Sequence, residues 1–265
     1  MTDRVVIFLH LPKAAGSTLN RVIAQQYPPE AIYKPGTKPP EVVARELAEV
    51  TRPPPRVRLL SGHVGFGIHT AITSEFTYIT VLRDPVERLL SHFHFARTLP
   101  EHPLHDDIAS GRLTLRDAAR QLANLQTRYL ADEALRGTAE TAGADALASA
   151  KENLSRYFSV VGLAERFDET LILMQWNLGW KVRPVPNSNV TRGRPKRSAH
   201  SDDDLAAIRA ANALDCELYD WARARFDAEV ARAGLGFRAA VGWLRARNRA
   251  LRFGSRLVRR GAVSR

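Results

Sequence analysis

The sequence predicts an α/β protein of three layers around a central parallel sheet, with a helical insertion and a helical C-terminal region. Three observations predict it. Short apolar runs such as Val5 to His10 lack polar alternation, as strands buried on both faces require. Strand-like runs alternate with helix-like ones, the order from which parallel sheets are built. The 265 residues, 45% hydrophobic and 25% charged, are enough to bury such a core.

Val5 to His10 is the first strand, followed by the small-residue turn Pro12 to Ser17 and a helix from Thr18 to Gln26. Proline-rich Pro28 to Pro55 reads as loop around one helix, Pro40 to Val50. Arg56 to Leu60 and Phe76 to Leu82 are two more strands, with glycine-rich Ser61 to Gly67 between them. Asp84-Pro85-Val86-Glu87 opens the next helix: an N-cap, a proline at the first helical position, and an acid that completes a capping box. Residues 114 to 156, within an insertion spanning about 100 to 156, read as helical with breaks near Gly137 and Gly143. Phe158 to Gly162 is a fourth strand, Phe167 to Leu178 a helix, and Trp180 to Pro186 a fifth strand. The basic loop Asn187 to His200 ends at a helix start, Ser201 to Asp204. No internal repeat is present.

The net charge of +11 suggests nucleic acid until it is located. Nine arginines and no acid fall between Gly234 and Arg265, which leaves +2 for residues 1 to 233. The body is nearly neutral and the basicity belongs to a C-terminal tail. The single cysteine, Cys216, allows no intramolecular disulfide and reads as a packing residue in a helix. Val5 to Leu11 is too short for a membrane span and is followed by Pro12-Lys13, not a small-residue cleavage site. These features predict a mature cytosolic enzyme.

Two constellations carry chemistry. In His10 to Thr18 a buried strand runs through a small-residue turn into a helix, which presents free N–H groups and a positive helix end to an anion. Gly16 permits close backbone approach, Ser17 and Thr18 offer hydroxyls, and Lys13 supplies a mobile charge. The order Gly-x4-Gly-Lys-Ser/Thr of a Walker loop is absent. In Val81 to Phe93, Arg83 stands at a strand's carboxyl end, where open α/β sheets bind ligands. Arg88, Ser91 and His92 share a face of the following helix. An arginine and a hydroxyl converging there suit a phosphate monoester.

Together these segments resemble the 5′-phosphosulfate loop (Pro12 to Leu19) and the 3′-phosphate motif (Arg83 to Phe93) of the sulfotransferases that use 3′-phosphoadenosine 5′-phosphosulfate (PAPS). The chain looks most like the glycan sulfotransferases related to the heparan sulfate and chondroitin uronyl 2-O-sulfotransferases. Gly62-His63-Val64, Asn124 to Leu130 and Val161-Gly162-Leu163 add to the likeness, which spans roughly residues 4 to 230. It implies a P-loop-like sulfotransferase domain over 1–233, followed by the arginine-rich tail 234–265. It also implies PAPS as donor, PAP as product, no obligatory metal, and a saccharide or glycolipid acceptor. Lys13 would contact the 5′-phosphosulfate within the backbone cradle of Ala14, Ala15, Gly16, Ser17 and Thr18, while Arg83 and Ser91 would hold the 3′-phosphate. His63 is the candidate base, since an imidazole titrates near neutral pH. It matches the second histidine of a His-Gly-His pattern whose first position is here Ser61. His10 and His69 are fallback bases, His92 and His94 helix-packing residues, and His102 and His105 solvated loop residues.

The basic loop Thr191 to Ser198 leaves three readings open: a lid over the nucleotide using Arg194 and Lys196, a solvated loop, or an AT-hook-like minor-groove contact through Arg-Gly-Arg-Pro. The tail sets Phe237, Val241, Trp243 and Leu244 among arginines, which suits an anionic membrane surface, a polyanionic glycan, or disorder. Two rivals to the transferase remain. One is a nucleotide kinase of the same fold class, disfavoured by the missing Walker lysine. The other is a non-enzymatic DNA- or polyanion-binding protein using Arg192 to Arg197 and the tail, disfavoured by the near-neutral body. The expectation is therefore an enzyme with no nucleic-acid partner.

Overall fold

The computed structural model describes residues 4–185 and 195–261, the last ten by backbone alone. Five strands, Val5–Leu9 (β1), Ile32–Tyr33 (β2), Leu59–Gly62 (β3), Phe76–Leu82 (β4) and Phe158–Leu163 (β5), form one parallel sheet in the order β2-β3-β1-β4-β5. All of β1 and nearly all of β4 are buried on both faces, so helices cover both sides of the sheet and the three-layer expectation holds. From β1 the chain moves to β2 and β3 on one side, then crosses to β4 on the other. The carboxyl end of β1 is thus the topological switch point, where such sheets open a crevice.

The helices are Gly16–Ile23 (α1), Pro40–Val50 (α2), Pro85–Thr98 (α3), His105–Ala109 (α4), Leu115–Gln121 (α5), Leu125–Leu130 (α6), Ala144–Arg156 (α7), Phe167–Leu178 (α8), Asp202–Ala211 (α9), Ala213–Arg232 (α10) and Gly234–Gly261 (α11). The Asp84 carboxylate accepts the Glu87 N–H at 2.9 Å, the N-cap the sequence predicts for α3, but the capping box is not completed, because the Asp84 N–H donates to Glu165 at 3.1 Å.

Three strand expectations need correction. β3 starts later than Arg56 and runs on through Ser61 and Gly62, because pairing with β1 continues to Leu9 opposite Gly62. The edge strand β2 lies within the stretch read as loop. Trp180 to Val185 is not a strand: Pro184 cannot donate to a ladder, and Trp180, Val182 and Val185 pack into the core from irregular chain. Pro186 lies outside the described residues.

The tail behaves differently from its charge. α11 begins at Gly234, which takes a left-handed φ of 75°, and buries Phe237, Val241 and Leu244 in the main core. Phe237 packs edge-on against Trp176 of α8, with ring centroids 5.4 Å apart. Asn248 donates to Asp168 at 2.9 Å, and Arg245 lies 3.2 Å from Glu169. Of the apolar residues read as membrane-facing, Phe237, Val241 and Leu244 are therefore turned inward, while Trp243 stays half exposed. Among the described residues no helix is long and apolar enough to cross a membrane.

Candidate active site

Three strand ends meet at the switch point. After β1 the chain passes through Lys13 and Ala15, both at positive φ (67° and 59°), before α1 begins at Gly16. The Thr18 and Leu19 N–H groups both turn back to the Ala15 carbonyl at 3.1 Å. The amides of Gly16, which is buried, and Ser17, which is exposed, are the first of the helix and lie at the positive end of α1, where no side-chain cap satisfies them. Ala14 is buried beneath the turn, Ser17 is exposed at its rim, and Thr18 is buried.

Gly16 is required here by contact. A Cβ at this position would lie 1.6 Å from His10 Nε2. The His10 ring stacks on Phe8 at 5.2 Å and on His63 at 4.2 Å. Burial first, then His63 and Lys13, holds His10 down to about 4, so it stays neutral in ordinary buffers.

His63 follows β3 and is exposed. Its Nδ1 lies 2.8 Å from the His10 carbonyl oxygen, which can only accept, so Nδ1 carries the proton. Nε2 is left with its lone pair toward solvent, the tautomer a general base needs. Ser61, where the family pattern has another histidine, donates to Asn20 at 2.9 Å and ties β3 to α1. His69, the other fallback base, is half-buried, with its Nδ1 3.0 Å from the Tyr78 hydroxyl inside a cluster with Phe66, Phe76 and Tyr157.

Arg83 follows β4 and joins the two motifs directly, its Nη1 donating to the Lys13 carbonyl at 2.8 Å. Glu87 and Glu165 stand 3.8 and 4.0 Å from its guanidinium. Its backbone is gripped on both sides by buried Gln126, which accepts the Arg83 N–H and donates to the Arg83 carbonyl, each at 2.9 Å. Gln126 is in turn placed by Asp215, whose carboxylate accepts the N–H groups of Gln126 at 3.1 Å and Thr127 at 2.7 Å. Ser91 is buried on α3. Arg88 does not join it at the site. Its guanidinium is wholly buried and donates to the Leu122 carbonyl at 3.3 Å.

Lys13 stands over the Phe95 ring at 3.7 Å. Around it lie His92, held down to about 4 by burial, Arg88, His102 and Lys13, and His102, shifted down by burial, Lys13 and His105. His102 is thus no solvated loop residue: its ring meets His92 edge-on at 5.3 Å and its Nδ1 accepts the Leu104 N–H. His105 Nδ1 likewise donates to the Ala96 carbonyl at 3.2 Å. Of the basic loop, Arg194 lies outside the described residues and Lys196 is exposed at the head of a short turn. Arg197, which the sequence placed only in the basic stretch of the rival polyanion-binding reading, reaches Asp84 at 3.9 Å. Burial and three nearby aspartates push the Cys216 thiol up to about 11, in keeping with a packing role.

Sequence reasoning missed Gln126, Asp215 and His10's hold on His63. The one available signal was the likeness of Asn124 to Leu130, which marked the segment but not its task.

The family model described as galactose-3-O-sulfotransferase matches residues 2–259. Mouse galactose-3-O-sulfotransferase 3 is 30% identical over 253 residues, covering 86% of this chain and 58% of its own length. Human heparan-sulfate 6-O-sulfotransferase 1 is 29% identical over 277 residues, covering 84% and 66%. Among solved structures, mouse sulfotransferase SULT7A1 complexed with PAP covers 80% of this chain and 63% of its own, with 17% identity and a TM-score of 0.42. The chain spans 58% of the length of the galactose-3-O-sulfotransferases it matches. With a match this nearly end to end, and an anion loop, an arginine and a histidine gathered at one switch point, the chain belongs to the galactose-3-O-sulfotransferase family.

Proposed function

We propose that this protein is a PAPS-dependent O-sulfotransferase acting on a saccharide hydroxyl. The observation that carries the reading is the convergence of the positive end of α1, a lysine and an arginine with a histidine whose Nε2 is free to accept a proton. PAPS, when bound, supplies an activated sulfuryl group on a good leaving phosphate.

The residues fit that donor. The Gly16 and Ser17 amides and Lys13 are placed to stabilise negative charge at the 5′ end, where it grows on the phosphate oxygen as the S–O bond breaks. Arg83 and Ser91, one strand over, are the candidates for the 3′-phosphate, and Lys196 and Arg197 lie on the segment leading to it. His63 Nε2 takes the proton of the acceptor hydroxyl as its oxygen bonds to sulfur. The Nδ1–H bond to the His10 carbonyl keeps the ring aimed and stabilises the imidazolium that results. The helical insertion forms a wall beside this base: Phe66 N–H donates to the Tyr129 carbonyl at 2.8 Å and Arg136 to the Phe66 carbonyl at 3.1 Å. These contacts support an acceptor position between the His63 loop and residues 129–136. The acceptor class follows the relatives, whose names specify galactose and heparan sulfate.

Calorimetric titration with PAP, with ADP as comparator, tests the donor site. Micromolar PAP binding is expected, weakened about thirtyfold in Arg83→Ala, or roughly 2 kcal/mol for a hydrogen-bonded charge. In His63→Ala, PAP affinity is expected to persist while sulfate transfer to N-acetyllactosamine or a heparin-derived oligosaccharide drops about a hundredfold or more. Equal affinity for ADP and PAP would defeat the proposal.

A further inference from the structure

At the end of the sheet remote from His63, two cavities run together. One, of about 610 Å³, is walled by Trp176, Trp180 and Trp243 with Lys181 and Arg183. The other, of about 260 Å³, shares Trp180, Lys181 and Arg183 and adds Arg4, Arg58 and Tyr27. Arg4 directly precedes β1 and Arg58 directly precedes β3, so the cleft opens at the amino-terminal edge of the sheet. The five residues of β1, about 16 Å of strand, separate it from the Lys13 loop. The proposed transfer reaction makes no use of it.

Among the described residues, four cationic side chains and no carboxylate line the two cavities. Trp176 and Trp243 are 49% and 51% exposed, although α8 and α11 bury other large apolar side chains between them. Arg247 stands 5.6 Å over the Trp243 ring. Indoles left in water beside cations offer a flat apolar face next to positive charge. The floor is built, not incidental. Trp180 is buried and donates from Nε1 to the Tyr27 hydroxyl at 3.2 Å. Gln26 holds the Lys181 backbone by both its N–H, at 2.7 Å, and its carbonyl, at 3.2 Å. Lys181 and Arg183 are therefore carried into solvent on a fixed backbone.

We infer that this cleft binds an acidic saccharide, a sugar chain bearing carboxylate or sulfate groups. The C–H face of a pyranose stacks on Trp176 and Trp243, and its anionic substituents meet Lys181, Arg183 and Arg4. The arginines of α11 raise the local concentration of such a chain. A bilayer does not match: the apolar row Phe237, Val241 and Leu244, which α11 would need to turn toward lipid, is buried against the body. A single-stranded nucleic acid would use the same stacking and charge. The choice of a saccharide over it rests on the glycan acceptor proposed above.

The test is calorimetry of the full chain with a heparin-derived hexasaccharide. A twelve-residue oligothymidylate and phosphatidylserine vesicles serve as comparators. The proteins are wild type, Lys181→Gln/Arg183→Gln, Trp243→Ala and Lys13→Ala. The substituted cleft residues are exposed, so these variants fold. Hexasaccharide affinity is expected to fall roughly tenfold or more in each cleft variant while PAP affinity is unchanged. Lys13→Ala is expected to do the converse. No binding, or affinity unmoved by both cleft variants, overturns the inference. Tighter binding of the oligonucleotide or of vesicles, lost in the same variants, reassigns the cleft and overturns it equally. Because no donor is needed, failure of the transferase reading shows separately, as loss of PAP preference in wild type.

Discussion

Gly16 and His10 show how closely single residues specify the site. His10 fills the space where any larger residue at 16 would place a Cβ, and it does so because Phe8 and His63 hold its ring from either side. Gly16→Ala is expected to cost about 1–3 kcal/mol, the usual range for overpacking, read as a lower urea midpoint. The His63 stack would loosen with it. An unchanged midpoint would mean the His10 ring swings aside freely. The glycine was legible in the sequence as a site of close backbone approach. That the approaching group is an imidazole from the preceding strand was not, because it depends on the rotamer His10 adopts under His63.

Helix α6 is short and starts at Asn124 in a left-handed conformation, with φ 51°. Its first amides are satisfied by Asp215, 88 residues further along, and Asn124 in turn accepts the N–H groups of Leu214 and Asp215. A carboxylate capping a helix from another helix joins α6 to α10 and, through Gln126, aims Arg83. Asp215→Asn turns an amide N–H₂ toward backbone donors, with an expected loss of about 1–3 kcal/mol in urea unfolding. PAP affinity is expected to fall in the folded variant. Retained affinity would show that Gln126 does not aim Arg83. The bounds of α2 and α8 and the start of α3 were readable because caps, prolines and apolar spacing act within one or two turns. The two-residue β2 was not, since its strand character comes from pairing with β3. Residues 114 to 156 proved to be three helices with breaks at 122–124 and 131–143, the first of which is the Asn124 turn that Asp215 and Asn212 stabilise from outside.

Across the whole molecule, the proposed transfer site gathers imidazoles around a lysine. His10 and His92 are both held down to about 4, from the ordinary 6.5, chiefly by burial. Below about pH 6.5 the unfolded chain takes up protons at both rings, while the folded protein does not until about pH 4. Stability is therefore expected to fall as pH drops across that interval. Urea midpoints at pH 7.0 and 4.5 should show a smaller acid loss in His92→Gln than in wild type; an equal loss would place the titration elsewhere. The charge distribution is the other whole-molecule property. Nine arginines marked the tail as separate in composition, yet its apolar row docks on α8 and only its outer face stays with solvent. By itself the sequence determined the parallel α/β class, the two anion motifs with their strand–turn–helix setting, and His63 as the base candidate, because all of these rest on local spacing and residue chemistry. The tertiary structure alone decided that Arg83 touches the Lys13 carbonyl, that His10 sets the tautomer of His63, that Asp215 governs Gln126, and that basic residues from before β1, before β3 and after α8 share one cleft. Those contacts join positions far apart in the chain, 53 residues for His10 and His63 and 89 for Gln126 and Asp215, and their geometry follows from how strands and helices are packed, which no periodicity along the chain encodes.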